Sequence, residues 1–334
     1  MTETVFIFGA GFSAPARMPV QADIMRSIIT RASQEGPRHT ISSLFHILVA
    51  EEMTEVPLED VFTMLDRARN ARETLRGFTH VALESSYQTL IAAIVAEFDR
   101  RLATFDAGPY GQFADQLLAH PNRWSLVTLN WDTIPDFVLA GGAPIDYGCD
   151  LLPLEASPVP PKAAVATLLK LHGSLNWLVC TSCGRLFSKM DAARPPVLLP
   201  LARACPHCPG TMLESVIITP TLVKDLGLTQ LKAVWHRALL ALQRATRVVF
   251  VGYSLPLADF EVRYLLLRSI LGRARLSIRV VLYPPDALLR DERARIQREE
   301  IVQRYRTFFG TRDLDFAFRD AASFMTDPIA LWDW

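Results

Sequence analysis

Short apolar runs alternate with longer amphipathic stretches along this chain, and that alternation predicts an α/β protein with a parallel sheet flanked by helices. Val5-Phe-Ile-Phe8, Leu168-Leu-Lys-Leu171 and Val248-Val-Phe-Val251 are too short for helices, and each runs into glycine or a polar residue. Continuous apolar runs of that length suit strands buried on both faces. A second observation is the stretch from 38 to 123, where apolar residues recur at helical spacing and form a helical insertion. A third is a pair of Cys-x-x-Cys knuckles, which adds a small metal module to the sheet.

Composition narrows the function classes. Lys+Arg and Asp+Glu number 35 each, so the formal net charge is zero. No broad electrostatic capture of nucleic acid or of an anionic membrane is expected from such a chain. No uncharged apolar run approaches the roughly 18 residues of a membrane helix. The start, Met1-Thr-Glu-Thr-Val-Phe, lacks the basic region and cleavage site of a signal peptide, so a cytoplasmic setting with reduced thiols is expected. Of five cysteines, four fall in the knuckles, and Cys149 reads as a small buried hydrophobe.

In chain order, the strand at Val5–Phe8 meets Gly9-Ala10-Gly11-Phe12-Ser13-Ala14, and the stretch from Pro19 to Ile29 reads as a helix. Strand, glycine-rich turn and helix make a phosphate site, because glycine lets a ligand approach and helix-start N–H groups face an anion. The full G-x-G-x-x-G fingerprint is not met, since Ala14 holds the third position, and a plain tight turn is an equal reading. In the insertion, Pro57-Leu-Glu-Asp60 opens one helix, and Leu83, Tyr87, Leu90, Ile94 and Phe98 mark the face of another; they read as packing over the sheet. The run Trp124–Leu129 reads as a strand ending in Asn130-Trp131-Asp132, ahead of a helix with Pro135 in its first turn. Capping explains either acid or amide singly. Both together beside a glycine turn favour a ligand. Residues 141–163 read as a Gly/Pro-rich loop.

The strand at Leu168–Leu171 ends in His172-Gly173-Ser174, a polar triplet where an open α/β sheet places its ligand chemistry. Cys180-x-x-Cys183 follows, then Cys205-x-x-Cys208. Four thiolates in two knuckles give closed tetrahedral zinc coordination, hence a structural metal rather than a catalytic one. His207 is a competing ligand, but Cys208 makes the symmetric set. Further strands are read at Val216–Thr219, at Val248–Val251 with Gly252-Tyr253-Ser254 after it, at Ser277–Leu282 and at the edge from Leu314 to Phe318. Helices are read after 219, from Asp259, and up to about Phe309.

Gly9-Ala-Gly-x-Ser13, Asn130-x-Asp132, His172-Gly-Ser174, the four-cysteine ribbon and Gly252-x-Ser254 stand in the order of the sirtuin superfamily of NAD-consuming enzymes, which this chain resembles over most of its length. Gly252-Tyr-Ser-Leu-Pro-Leu-Ala-Asp259, Thr128-Leu-Asn-Trp-Asp132 and the helical insertion are similar to the divergent bacterial sirtuin-like branch, several members of which degrade NAD as antiphage effectors. The resemblance implies a Rossmann-like sirtuin fold: an NAD-binding domain over 1–37, 124–170 and 215–334, the insertion over 38–123 and the zinc ribbon over 171–214. It implies NAD as substrate and structural Zn2+ on Cys180, Cys183, Cys205 and Cys208. By resemblance Gly9, Ala10, Gly11, Phe12 and Ser13 hold the diphosphate, Asp132 the carboxamide, and Gly252 and Ser254 border the adenosine. Asn130 positions water or ribose, and His172 is the general base.

The chain departs from protein-deacylating sirtuins after Pro19, at Leu129, at Thr219-Pro220-Thr221 and at Tyr283, mostly where they grip peptide. Hydrolysis of NAD+ to nicotinamide and ADP-ribose is therefore expected over protein deacylation; an NAD- or ADP-ribose-sensing subunit is the other alternative. Free-running NAD hydrolysis would harm the host cell, which points to gating by a partner such as a phage component or an associated ATPase, and to a homo-oligomer.

Overall fold

The computed structural model describes residues 3–20, 23–27, 58–75, 77–121, 123–155, 165–198, 204–219, 221, 227–283, 292–310 and 313–327. The elements run β1 (Thr4–Phe8), α1 (Leu58–Ala71), α2 (His80–Leu102), α3 (Gly108–Leu118), β2 (Trp124–Thr128), α4 (Ile134–Ala140), β3 (Ile145–Asp146), β4 (Leu151–Pro153) and β5 (Ala166–Lys170). They continue with β6 (Gly173–Cys180), β7 (Leu186–Ser188), β8 (Leu213–Ile217), α5 (Thr229–Arg244), β9 (Arg247–Val251), α6 (Phe260–Ser269), β10 (Ser277–Leu282), α7 (Glu292–Phe309), β11 (Asp315–Phe318) and α8 (Ala321–Met325). Residues 23–27 are also helical. Among the described residues no helix is long and apolar enough to cross a membrane.

Seven strands form one sheet in the order β11-β10-β9-β1-β2-β5-β3, and every pairing in it is parallel. All five residues of β1 and of β2 are buried, as a sheet covered on both faces requires. The pleat distributes the aromatic residues. Phe6 and Phe8 face Phe113 of α3 at 5.7 and 5.8 Å between ring centres. Phe250 pairs in register with Ile7, so it points to the other face, where it meets Tyr305 at 5.2 Å and Phe309 at 6.1 Å from α7. Helices α3, α4 and α8 pack together, α5 packs on α6, and Arg263 of α6 lies over Phe308 of α7. The sheet is doubly wound.

A second, smaller sheet runs β4-β7-β6-β8, antiparallel except for the β4–β7 pair. It has its own core of Leu154, Leu178, Phe187 and Leu213, which packs against Cys180 and Cys205. Two expectations change here. The stretch 141–163 is not wholly loop, since β3 joins the edge of the large sheet and β4 the edge of the small one. Two- and three-residue strands carry no alternation of their own and exist only through their partners. The sequence reading places no strand between His172 and the first knuckle, yet the chain there is extended. It runs as β6, eight residues long, and enters the first knuckle at its last residue, Cys180. The run read at Val216–Thr219 is β8, which ends at Ile217 and pairs with β6.

The helical insertion reaches the large sheet's carboxyl edge. Arg69 of α1 bonds Glu84 of α2 at 2.5 Å and Asp66 at 3.1 Å, and its guanidinium lies 3.8 Å over Tyr87. Asp66 in turn accepts from the Thr219 hydroxyl at 3.2 Å, tying α1 to the segment after β8. Pro57 and residues 28–57, part of the expected helices, lie outside the described residues.

Candidate active site

Because every strand of the large sheet runs the same way, all its carboxyl ends lie along one edge. Chain order reverses there between β1 and β9: β2 and β5 lie on one side of β1, β9 and β10 on the other. Ligands of open α/β sheets bind at such a switch point. The two glycine turns meet at this crevice. The Gly11 N–H donates to the Gly252 carbonyl at 2.9 Å. A Cβ on Gly252 would stand 2.3 Å from the Gly11 carbonyl carbon, and Gly252 has φ +61°. A Cβ on Gly11 would stand 2.7 Å from the Gly252 Cα. Only glycine at both positions lets the two backbones touch.

The turn after β1 is two short 3-10 segments, Ala10–Phe12 and Ala14–Ala16, rather than the start of a long helix. Its N–H groups are largely used internally: Phe12 donates to the Gly9 carbonyl at 2.9 Å and Ser13 to that of Ala10 at 3.1 Å. Glycine here supplies close approach more than a ring of free donors. Tyr110 pins the turn, its hydroxyl donating to the Phe12 carbonyl at 3.0 Å and accepting from the Ala16 N–H at 3.1 Å. Burial raises the Tyr110 phenol far above its usual range.

A cavity of about 560 Å³ opens over this edge, lined by Gly9, Ala10, Gly11, Ser13, Asn130, Asp132, His172, Gly252 and Ser254. Phe12 is set apart: it is buried and stacks on Phe8 at 3.8 Å, facing the core. A directed chain of hydrogen bonds links three of the polar groups. The Asn130 amide nitrogen donates to the Gly9 carbonyl at 2.9 Å and to Ser13 Oγ at 3.0 Å. Ser13 Oγ donates to Asp132 Oδ2 at 2.7 Å. Both Asn130 N–H bonds being used, its carbonyl oxygen is the end that can take a new donor such as water or a hydroxyl.

Asp132 is 2% exposed, and its Oδ1 accepts the N–H of Ile134, the first residue of α4, at 3.2 Å. Burial raises its carboxyl above the ordinary aspartate range, against the opposing pull of Lys170 and of the Ser13 hydroxyl. His172 Nδ1 lies 3.1 Å from the Leu129 carbonyl. A carbonyl only accepts, so Nδ1 carries the proton and Nε2 is the basic nitrogen of the neutral ring. The far walls are apolar: Met18, Ile24, Trp131, Ile218 and, from the helical insertion, Phe98.

Sequence reading missed what stands behind these groups. Lys170, a lone charge in an apolar strand, is fully buried and donates to the Asp132 carbonyl at 2.7 Å and to Asp136 Oδ2 at 2.6 Å. That charge amid leucines was the available signal. Trp131 Nε1 donates to the Ile218 carbonyl at 3.1 Å, and Trp235 Nε1 to the Leu171 carbonyl at 2.9 Å, bracing the loops on either side of His172. Neither partner is near in sequence, so nothing marked them.

The four knuckle cysteines come together, their sulfurs all within 4.8 Å of one another. Cys180 and Cys208 sulfurs are 3.6 Å apart and those of Cys183 and Cys205 3.9 Å. Zn–S bonds of about 2.3 Å in a tetrahedron give edges of about 3.8 Å, so the set fits zinc. The His207 backbone N–H faces Cys205 Sγ at 3.4 Å and that of Gly210 faces Cys208 Sγ at 3.4 Å, as thiolates require. The Cys183 N–H leads in pulling the Cys180 thiol down to about 6. Cys149 is half-buried, and burial pushes its thiol up to about 12, so it stays a protonated filler.

No protein-family model matches the sequence, and no curated protein matches it either. Among solved structures, a Sir2 homologue–NAD complex shares 16% identity at TM-score 0.43, covering 92% of this chain and 90% of that one. A Sir2 homologue mutant–ADP-ribose complex shares 15% at 0.42, covering 93% and 95%. Sir2Tm bound to a propionylated peptide shares 12% at 0.41, covering 97% and 90%. Likeness at this level assigns no role to any residue.

Proposed function

We propose that this chain is a sirtuin-like NAD+ glycohydrolase that binds NAD in the cavity over the Gly11–Gly252 contact and releases nicotinamide and ADP-ribose. The observation that carries the reading is the directed run from Asn130 through Ser13 to Asp132, set beside His172 above a backbone crevice at the switch point.

The nicotinamide–ribose bond breaks through an oxocarbenium-like state, as glycosidic bonds do. The bonding pair passes to the ring nitrogen, so nicotinamide leaves neutral and needs little acid help. The protein's task is to orient the ring, stabilise the ribosyl cation and place water at C1′. Asp132 supplies an anion held in place by Ser13 and by the Ile134 N–H. The Asn130 carbonyl oxygen accepts a hydrogen bond from the attacking water or from a ribose hydroxyl and orients it. Nε2 of His172 takes the proton the water loses as the new C1′–O bond forms. One water is consumed, and one proton is released with the products.

Phe98, Trp131 and Ile218 give that chemistry a dry wall, which strengthens the electrostatic contacts inside it. The four cysteines hold zinc as a closed clip and take no part in the reaction. NAD loss harms the cell that makes the enzyme, so turnover is gated by an activator; an antiphage effector triggered by a phage component fits that need.

The test is nicotinamide release from NAD by the purified chain, with and without an acyl-lysine peptide and with and without candidate activators. Release that proceeds without peptide supports hydrolysis. Release that requires the peptide makes the protein a deacylase, and tight NAD binding without release under any condition makes it a sensor.

A further inference from the structure

We propose that Lys170 is a positioning residue that fixes the Asn130-Trp131-Asp132 loop against the His172 strand, by gripping the Asp132 carbonyl and the Asp136 carboxylate from inside the core. This rests on the function proposed above for its catalytic part, but its geometric part stands without it. Lys170 is the last residue of β5, two before His172. Its ammonium bonds the Asp132 carbonyl at 2.7 Å and Asp136 Oδ2 at 2.6 Å, with both side chains 0% exposed. The other Asp136 oxygen accepts from the Tyr147 hydroxyl at 2.8 Å. One side chain thus ties together β5, the loop after β2 and helix α4.

The energetics say what the arrangement is for. Sealing an ion pair away from water is a poor way to gain stability, and apolar replacements of such pairs are often neutral or stabilising. Here the ammonium holds the backbone of Asp132, a residue that lines the cavity. It sets where that residue points. The ammonium also bears on the Asp132 charge. The groups facing that carboxylate are Ser13 from the glycine turn, Lys170 from β5, Asp136 from α4 and the phenol of Tyr110 from α3, with Asn130 linked through Ser13. Lys170 is the cation among them and favours ionised Asp132.

The experiment replaces the network as a unit. Lys170→Met alone strands Asp136 and can fail to fold. The triple variant Lys170→Met/Asp136→Leu/Tyr147→Phe removes the buried pair and the hydroxyl bonded to it together, and leaves Asp132 without the Lys170 charge, whose pull on it outweighs the push of Asp136. Two readouts are compared with wild type. The first is the Asp132 carboxyl midpoint by 13C NMR, which needs no turnover. The second is NAD cleavage at saturating and limiting NAD. The triple variant is expected to melt at or above the wild-type temperature, to titrate Asp132 at higher pH, and to lose roughly 10–100-fold in kcat, the scale of a misplaced reacting group. An acid limb of the pH–rate profile shifted upward in the same variant strengthens the assignment. An unmoved Asp132 midpoint, or wild-type kcat in a well-folded triple variant, overturns it. If wild type neither binds nor cleaves NAD, the proposed function falls, and the midpoint alone decides the role of Lys170.

Discussion

The zinc module and the cavity edge are both clusters of polar side chains, but they are built in opposite ways. In the module, each pair of ligands is three residues apart in sequence, and the four sulfurs turn inward on one point, leaving no position open. At the cavity, Ser13, Asn130, Asp132 and His172 come from the ends of three different strands; the first three hold one another, His172 is held by the Leu129 carbonyl, and all four face space a ligand can fill. A closed cluster holds a fold together; an open one is available for chemistry. Four experiments separate the two.

The largest effect is expected in the module. Metal analysis should find about one zinc per chain, and chelation or Cys180→Ser/Cys208→Ser should melt the small sheet, since structural zinc in peptides contributes about 10–16 kcal/mol. A metal-free protein whose melting temperature ignores chelators would break the contrast at once. At the cavity, His172→Ala should cut NAD turnover roughly 10²–10⁴-fold, with a loss of stability far smaller than that of zinc removal, from the void and the Leu129 carbonyl left without its donor. Unchanged turnover would remove His172 from the chemistry.

Gly252→Ala tests the crevice itself. Its Cβ would meet the Gly11 backbone at 2.3 Å in a left-handed conformation, so a loss of about 2–4 kcal/mol in urea unfolding, with weakened NAD binding, is expected. Wild-type stability and affinity in that variant would show that the two turns need not touch.

The smallest effect on stability, and opposite in sign, belongs to Asp132. Its folded-state carboxyl titrates above the ordinary range because burial disfavours the anion. The native state therefore holds this proton more tightly than the unfolded chain does. Stability from this group is full below the unfolded value of about 3.9 and is lost as pH rises through the folded midpoint. Turnover should rise over that same window as the anion forms. Asp132→Asn should abolish turnover yet lack that loss of stability, seen in melting curves taken across pH. A variant that falls in stability with pH as wild type does would show that Asp132 is not the group responsible.

Much of this was legible in the residues. The core strands announced themselves because buried parallel strands are continuous apolar runs, and Trp124–Thr128 and Arg247–Val251 need no partner to be recognised. The knuckles were legible because their chemistry is local spacing. The glycine pairs marked turns, although their sequence suggested an anion cradle where the structure has backbone against backbone. Strands β3 and β4 were not legible, being defined by what they pair with.

By itself the sequence determined the core strands of the large sheet, the four thiolates and which polar residues end those strands, because each is written in spacing a few residues long. Tertiary structure alone decided that β1 sits at the switch point, that Ser13 bridges Asn130 and Asp132, that Phe12 faces away from the cavity, and that a lysine hidden behind them grips the loop. Those contacts join residues up to 119 positions apart, and a chain encodes such meetings only through the packing that brings its strand ends to one edge.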